Sequence, residues 1–497
     1  MSVPTLPTTD CIELSRQFRA GETSAVDIAE STIAEIAHKD GDLHAFLTHD
    51  PDALRAEAQE LDRKRARGEP LGLLAGVPIA LKDALVTRGV RTTGGSRILE
   101  SYVPPYDATV VTRLRAADAL LPGKTNLDEL AMGSSTEHSA FGATKNPWDT
   151  SRSPGGSSGG SAVAVAARMT PGSLGSDTGG SIRQPAAFTG IVGVKPTYGR
   201  VSRFGLIAFA SSLDQIGPFA TSVRASARIL SVIAGGDRKD STCLDAKVPD
   251  YEAACGASIK GLRVGVPEQY FARGLAPEVE QSVRAAIARL SKDGATIRPV
   301  SLPHTTHAVA TYYVLATAEA SSNLARLDGV RFGLRVEPST SGTGVADAVQ
   351  AMYGHTREAG FGAEVKRRIL LGTFVLSAGY YDAYYRKAEG VRALIRRDFE
   401  LAFAEVDVIV SPTAPTPAFA LGANTHDPLA MYLSDIYTLP ASLAGIPAVS
   451  VPVEPTPGGL PVGFQIMAPW LGEEMLLRLA AAVEAHAPSR APSLQGA

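Results

Sequence analysis

Cysteine is scarce in this chain, with three in 497 residues: Cys11, Cys243 and Cys255. They are odd in number and share no Cys-x-x-Cys spacing. That excludes a disulfide framework and predicts free thiols in a reducing compartment. Lysine and arginine are missing from the first 15 positions, so neither a secretory leader nor a transit peptide is expected there. Long apolar runs are missing as well; none approaches the roughly 18 residues of a membrane span. Net charge is small, −3, and basic residues are thinly spread. A surface that grips nucleic acid by itself is therefore not expected. The densest basic run, 63–67, reads as the solvated face of a helix. Of nine histidines, His304 and His307 stand close together, but in a polar loop behind Pro303 without a carboxylate cluster, so no metal site is expected. What remains is a cytoplasmic enzyme.

There is ample material for a large core: 44% of residues are hydrophobic and 20% charged. The first 70 residues read as helical. One pattern begins at Thr23 with Val26, Ile28, Ile33 and Ile36 on its apolar side; a charged helix covers 52–68. The run LAGVPIAL at 74–81 suits a buried strand and delivers Lys82 at its end. Helical and strand patterns then alternate with Gly-rich turns over 109–195. Further on come a strand at 261–267, a helix at 278–290, the strand TIRPVSL and a helix at 307–327. Helices at 364–376 and 380–403 and the strand VDVIVSP (406–412) follow, then the strands AVSVPV and VGFQIMA and a closing helix. This alternation predicts an α/β fold with a large sheet. No repeat and no Pro/Gly/Ser linker divides the chain. It reads as one domain: a helical arm (1–70), a central part (71–220), a remainder (221–487) and a fraying tail (488–497).

Chemistry concentrates in 155–183, GGSSGGSAVAVAARMTPGSLGSDTGGSIR. Glycine-flanked serines stand near both ends, Ser157–Ser158 and Ser181. Glycine lets backbone N–H groups crowd round a ligand, and a serine in such a nest attacks a carbonyl while amides hold the oxyanion. An α/β-hydrolase elbow needs an apolar strand before its serine, and DTSRSP is not one. A phosphate loop ending in PGKT (122–125) would need glycine at 118, where Asp118 stands. A serine–serine–lysine arrangement fits better. Ser181 opens a helix pattern, with Thr178, Gly179 and Gly180 as oxyanion donors. Lys82 at a strand end is either a surface lysine or a buried amine with a lowered pKa that serves as base.

The stretch 155–183 resembles the amidase signature, including its Asp177 and Arg183 positions. With the strand-end lysine, the resemblance extends over nearly the whole chain. It implies an amidase-signature fold, a large central mixed β-sheet flanked by helices on both faces. It also implies a triad of Lys82, Ser157 (a serine in a cis peptide) and the nucleophile Ser181. Blocks 123–149, 190–218 and 364–388 resemble, more specifically, the A subunits of glutamyl-tRNA(Gln)/aspartyl-tRNA(Asn) amidotransferases. That likeness implies a glutaminase that supplies ammonia to a B subunit, which binds tRNA and uses ATP with magnesium, while a small C subunit wraps around the glutaminase. No cofactor is then expected in this chain. The alternative is a free-standing amidase for small amides; a non-catalytic scaffold is disfavoured by the presence of all three triad residues. Ser442, in LPASLAGIP, stands where such subunits are expected to carry asparagine.

Glutamine needs a cation for its α-carboxylate and an anion for its α-amine. On a helical wheel Phe361, Val365, Ile369, Val375 and Leu376 share a face with Arg368, while Arg367 points away. An arginine on an apolar stripe is either paired, here with Glu364, or functional. The resemblance favours Arg368 as the carboxylate clamp and Asp435, in MYLSDIY, for the amine. Met132 and Tyr312 (or its neighbour Tyr313) are candidate pocket walls.

Overall fold

In the computed structural model, residues 10–271, 274–337, 345–488 and 491–492 are described. Of the expected tail, 489–490 and 493–497 lie outside them. Strands β1 (Phe46–His49), β2 (Ile79–Lys82), β3 (Gly123–Thr125), β4 (Gly172–Asp177), β5 (Val192–Lys195), β6 (Gln215–Ala220), β7 (Arg263–Pro267), β8 (Thr296–Val300), β9 (Val408–Pro412), β10 (Ala448–Pro452) and β11 (Gly463–Met467) form one sheet. Their spatial order is β1-β3-β2-β4-β6-β5-β10-β11-β9-β7-β8. β3, β2 and β4 run parallel, as do β9, β7 and β8; the strands between pair antiparallel. The sheet is mixed.

Side chains alternate across a strand, so each central strand feeds two cores. Val408 and Val410, Val449 and Val451, Phe464 and Ile466 face one core with Ile229 and Leu230 of helix Val223–Ile233 and Leu476, Leu477 and Leu479 of helix Glu473–Glu484. Ile409, Ala448 and Met467 face the other, with helices Ala308–Asn323, Lys387–Glu405 and Leu439–Ala444. Leu14, Phe18, Ile28, Leu54 and Leu61 of the helical arm build a smaller core together with Ala75 and Leu120 of the central part. Its second helix starts at a reciprocal cap between Ser24 and Asp27. The three cysteines are free thiols.

Two details place the site. β2 and β4 are parallel neighbours, Ile79 opposite Gly172 and Leu81 opposite Leu174, so their C-terminal ends, Lys82 and Asp177, emerge side by side. That edge is where α/β sheets hold ligands. The Ser157–Ser158 turn enters the same region through helix Gly159–Ala166, buried along its whole length. It lies so close to its neighbours that a β-carbon on Gly160 would stand 2.5 Å from the Asn126 amide nitrogen.

The periodicities predict most elements, with local differences. The strand expected over 74–81 is regular only from Ile79, because 74–76 lie in a turn and Pro78 makes only an isolated bridge with Leu120. The helix expected over 380–403 opens as a π-helical segment, Tyr381–Arg386, before Lys387–Glu405. Helix Val345–Gly360 has no counterpart in the sequence reading. The predicted apolar face of helix Ala363–Leu376 needs correction: Val365, Arg368 and Val375 are buried, but Leu376 is exposed. Glu364 and Gly372 take the other buried places, and a β-carbon on Gly372 would overlap the Thr317 carbonyl, so the helix packs on backbone there and Leu376 falls outside the buried arc.

Candidate active site

Lys82 is fully buried, and its amine meets three hydroxyls: Ser157 Oγ at 2.8 Å, Ser158 Oγ at 2.8 Å and Ser176 Oγ at 3.0 Å. Burial lowers its pKa to about 7, against the opposing pull of Asp128, Asp214 and Asp177. Of the two sequence alternatives for Lys82, the surface lysine is thus excluded. A neutral amine has two N–H donors and one lone pair. The Ser158 hydroxyl donates to the Ser176 carbonyl at 3.1 Å, so its oxygen accepts from Lys82. Ser157 has no other acceptor among the described residues, which leaves its proton free for the lysine lone pair. The sequence reading missed Ser158 and Ser176 as amine partners. Ser158 sits within the motif, but nothing in the order of residues shows that Ser176 on β4 turns toward β2.

Ser157 follows a cis Gly156–Ser157 peptide. The turn is held by Gln184, whose Oε1 accepts from the Gly156 amide at 2.9 Å, and by the Asp128 amide on the Ser157 carbonyl at 3.2 Å. The Ser158 amide donates to the Ser181 carbonyl at 3.3 Å, tying the two serine clusters together. The Ser181 hydroxyl makes no hydrogen bond among the described residues. At 9% exposure it is the most open of the residues around Lys82.

Residues 178–181 form a loop clipped at its base by a buried two-point pair. Arg183 Nε lies 3.0 Å from Asp177 Oδ2, and its outer nitrogen 2.9 Å from Oδ1. Burial pushes the Asp177 carboxyl up, but Arg183 outweighs it and holds the acid below its usual range. Ser442, the departure noted in the sequence, accepts from Arg183 at 2.9 Å and so belongs to this clip. Thr438 Oγ1 donates to the Gly179 carbonyl at 2.6 Å, and the Gln184 amide to the Gly180 carbonyl at 2.8 Å. In a trans peptide C=O and N–H point opposite ways. Pinning these carbonyls therefore turns the Gly180 and Ser181 N–H groups away from their anchors, and no acceptor among the described residues takes them. Gly180 has φ +149°, and a β-carbon there would overlap Thr438. The loop requires glycine.

Arg368 is buried, and its Nε donates to Glu364 Oε1 at 2.8 Å; Glu364 also pairs with Arg367 and accepts from the Tyr432 hydroxyl at 3.1 Å. The ion pair expected as one alternative is present, yet it engages only one nitrogen. The two outer nitrogens of Arg368 have no hydrogen-bond partner among the described residues. Its guanidinium carbon lies 5.3 Å from the Tyr313 ring centroid and 5.6 Å from those of Phe209 and Tyr432. Tyr313 and Tyr432 stack at 3.6 Å. Asp435 receives a short hydrogen bond from Ser134 on Oδ2, while buried Oδ1 has no partner among the described residues. Burial raises its pKa to about 7. A β-carbon on Gly180 would lie 3.2 Å from Oδ1, which puts this carboxylate beside the serine loop. Tyr312 packs on Gly179, and Tyr313 faces Arg368. Met132 is buried in the same apolar cluster as Tyr312 and Phe209. Of the aromatic partners of Arg368, Tyr313 is one of the two tyrosines left open in the sequence, while Phe209 and Tyr432 were missed because they come from separate segments.

A buried amine, a relay-ready hydroxyl, an open serine and two unengaged backbone amides equip this region for acyl transfer. An unsaturated cation and an unsaturated anion beside them suit an amino-acid head group. The sequence profile of the Amidase family matches residues 27–477. The chain is 57% identical to the glutamyl-tRNA(Gln) amidotransferase A subunit of Myxococcus xanthus (strain DK1622), covering 95% of this chain and 96% of that one. It is 58% identical to the corresponding protein of Roseiflexus sp. (strain RS-1), covering 92% of each. Among solved structures, it resembles the glutamyl-tRNA(Gln) amidotransferase A subunit of Thermotoga maritima with a TM-score of 0.80 at 40% identity, over 98% of this chain and 97% of that one. It also resembles the peptide amidase of Stenotrophomonas maltophilia with a TM-score of 0.81 at 31% identity, over 99% of this chain and all of that one. Over nearly its whole length, then, the chain belongs to the amidase family and, within it, to the A subunits of glutamyl-tRNA(Gln) amidotransferases.

Proposed function

We propose that this chain is a glutaminase that supplies ammonia for tRNA-dependent amidation, with Ser181 as nucleophile and Ser157 and Lys82 as its proton relay. The observation that carries the reading is the buried Lys82 amine, half neutral near pH 7 and hydrogen-bonded to Ser157. The glutamine α-carboxylate takes the two outer nitrogens of Arg368, and the α-ammonium takes Asp435 Oδ1. That presents the side-chain amide to Ser181, with Tyr312 and Met132 as walls.

Ser157 accepts the Ser181 proton as its own passes to Lys82. The Ser181 oxygen bonds to the amide carbon, and the carbonyl oxygen becomes an oxyanion. Of the donors expected from Thr178, Gly179 and Gly180, the Gly180 amide serves there together with the Ser181 amide, one such donor being worth about 3 kcal/mol of barrier. The proton on Lys82 returns through Ser157 to the amide nitrogen, the C–N bond breaks, and ammonia leaves a glutamyl ester on Ser181. Water then gives its proton to the same relay, attacks the ester carbon and releases glutamate as Ser181 regains its proton. No histidine is required.

Assembly with B and C subunits belongs to this proposal, B providing tRNA binding and the ATP and magnesium chemistry. Leu370, Phe374, Tyr380 and Tyr384 are exposed on one stretch of the chain, a solvent-facing apolar strip that supports a partner-bound state. Among the described residues no helix is long and apolar enough to cross a membrane; with tRNA as the eventual target, we place the reaction in the cytoplasm. Ser181→Ala tests the reading. Glutamine hydrolysis is expected to fall by about 10³-fold or more, and hydrolysis retained within about tenfold refutes the nucleophile. Co-purified B and C subunits with misacylated tRNA are expected to stimulate the wild-type chain.

A further inference from the structure

Asp214 immediately precedes β6 and is buried. Its carboxylate gathers donors from two segments. Thr178 Oγ1 donates to Oδ1 at 2.7 Å. The amides of Phe209 and Ala210 each donate to Oδ2 at 3.0 Å, and Ala210 also reaches Oδ1 at 3.1 Å. Thr178 opens the loop that leads through Gly179 and Gly180 to Ser181. The Phe209 ring lies against the Arg368 guanidinium. One carboxylate thus spans the oxyanion loop and the support of the carboxylate clamp.

We propose that Asp214 is a positioning residue, required in its ionised form, that holds the oxyanion loop in register with the Arg368 clamp. The proposal rests on the Ser181 reading above. Both carboxylate oxygens already accept hydrogen bonds, so a proton on either one displaces a donor. If it displaces Thr178, the loop loses its side-chain anchor. Asp214 also lines a cavity of about 380 Å³ with Arg203, Lys239, Asp240 and Arg326. On its other side it acts electrostatically on Lys82 and Tyr312. Burial raises its pKa to about 6, against the bonds from Thr178 and Ala210 and the charge of Arg203. Lys82 and Asp435 both titrate near 7, so three groups shape the acid limb of the reaction, with Asp214 the lowest of them.

The test is glutamine hydrolysis by the full chain, with the subunits that co-purify, measured against pH for wild type, Asp214→Asn, Thr178→Val and Thr178→Ser. For wild type, log kcat/KM should fall with slope two just below pH 7, from Lys82 and Asp435, with a further step of about tenfold near pH 6 from Asp214. Asp214→Asn should lose that step and keep the slope set by Lys82 and Asp435, with kcat about tenfold lower. Thr178→Val should lower kcat similarly, and Thr178→Ser, which restores the hydroxyl, should recover most of the loss. An Asp214→Asn profile that retains the step near pH 6, or a Thr178→Val kcat within twofold of wild type, overturns the proposal. Where Asp214→Asn does not fold, the Thr178 pair decides alone. Ser181→Ala in the same series separates the two readings, since its retained activity removes the nucleophile regardless of Asp214.

Discussion

Replacing Lys82 with methionine probes the protonation state on which the relay depends. Methionine is unbranched and of similar length, but it carries no charge. In wild type, burial brings the Lys82 pKa from its ordinary 10.5 to about 7. That displacement corresponds to about 5 kcal/mol between the two protonation states. The sign follows from proton binding. Between pH 7 and 10.5 the unfolded chain holds this proton and the folded chain does not, so stability rises with pH across that window. Below 7 both states hold it, and the full penalty of burying an ammonium is present. Lys82→Met removes the titration. The lost contacts to Ser157, Ser158 and Ser176 shift its stability by an amount that does not vary with pH. Denaturant titrations of both proteins from about pH 6 to about pH 9 should therefore show wild type gaining about 3 kcal/mol relative to Lys82→Met, nearly all above pH 7. Glutamine hydrolysis by the variant should be lost. A stability difference that stays flat over this range means a charged Lys82 in the fold, and the relay as written then fails.

Two further outcomes follow from the geometry. Arg368→Lys replaces two outer nitrogens by one mobile ammonium and should raise KM for glutamine about 30-fold, with kcat less affected; a KM within about threefold of wild type removes the clamp. Gly180→Ala places a β-carbon against Thr438 at a backbone angle costly for alanine, so about 3 kcal/mol of stability should be lost and kcat should fall about tenfold or more. Chemical denaturation and steady-state kinetics on the same preparation check it, and wild-type values in both refute it.

The chemistry-bearing segments announce themselves because they need special residues locally. Glycine at 180 is dictated by the loop's own backbone, and Ser157–Ser158 and Ser181 stand among glycines that let amides crowd together. Arg368 is legible as an arginine on an apolar stripe, and the alternating valines of VDVIVSP declare a strand buried on both faces. Leu376 stands at the rim of the predicted stripe, and the close approach of Gly372 to the Thr317 backbone turns an arc from Glu364 to Val365 inward that leaves Leu376 outside. The π-helical segment at Tyr381–Arg386 leaves no mark in the spacing for a related reason: its register depends on neighbouring contacts rather than on residue period.

The alternation of strands and helices, the glycine-bound serine loops and the identity of the ionisable groups are written in the order of residues, since each depends on neighbours along the chain. Long-range packing alone makes Lys82 lose its solvent among three hydroxyls, leaves two nitrogens of Arg368 open beside Glu364, and brings Asp214 to grip Thr178. Burial and hydrogen-bond saturation are set by atoms brought together from distant segments, and those quantities make an ordinary lysine a base, an arginine a clamp and an aspartate an anchor.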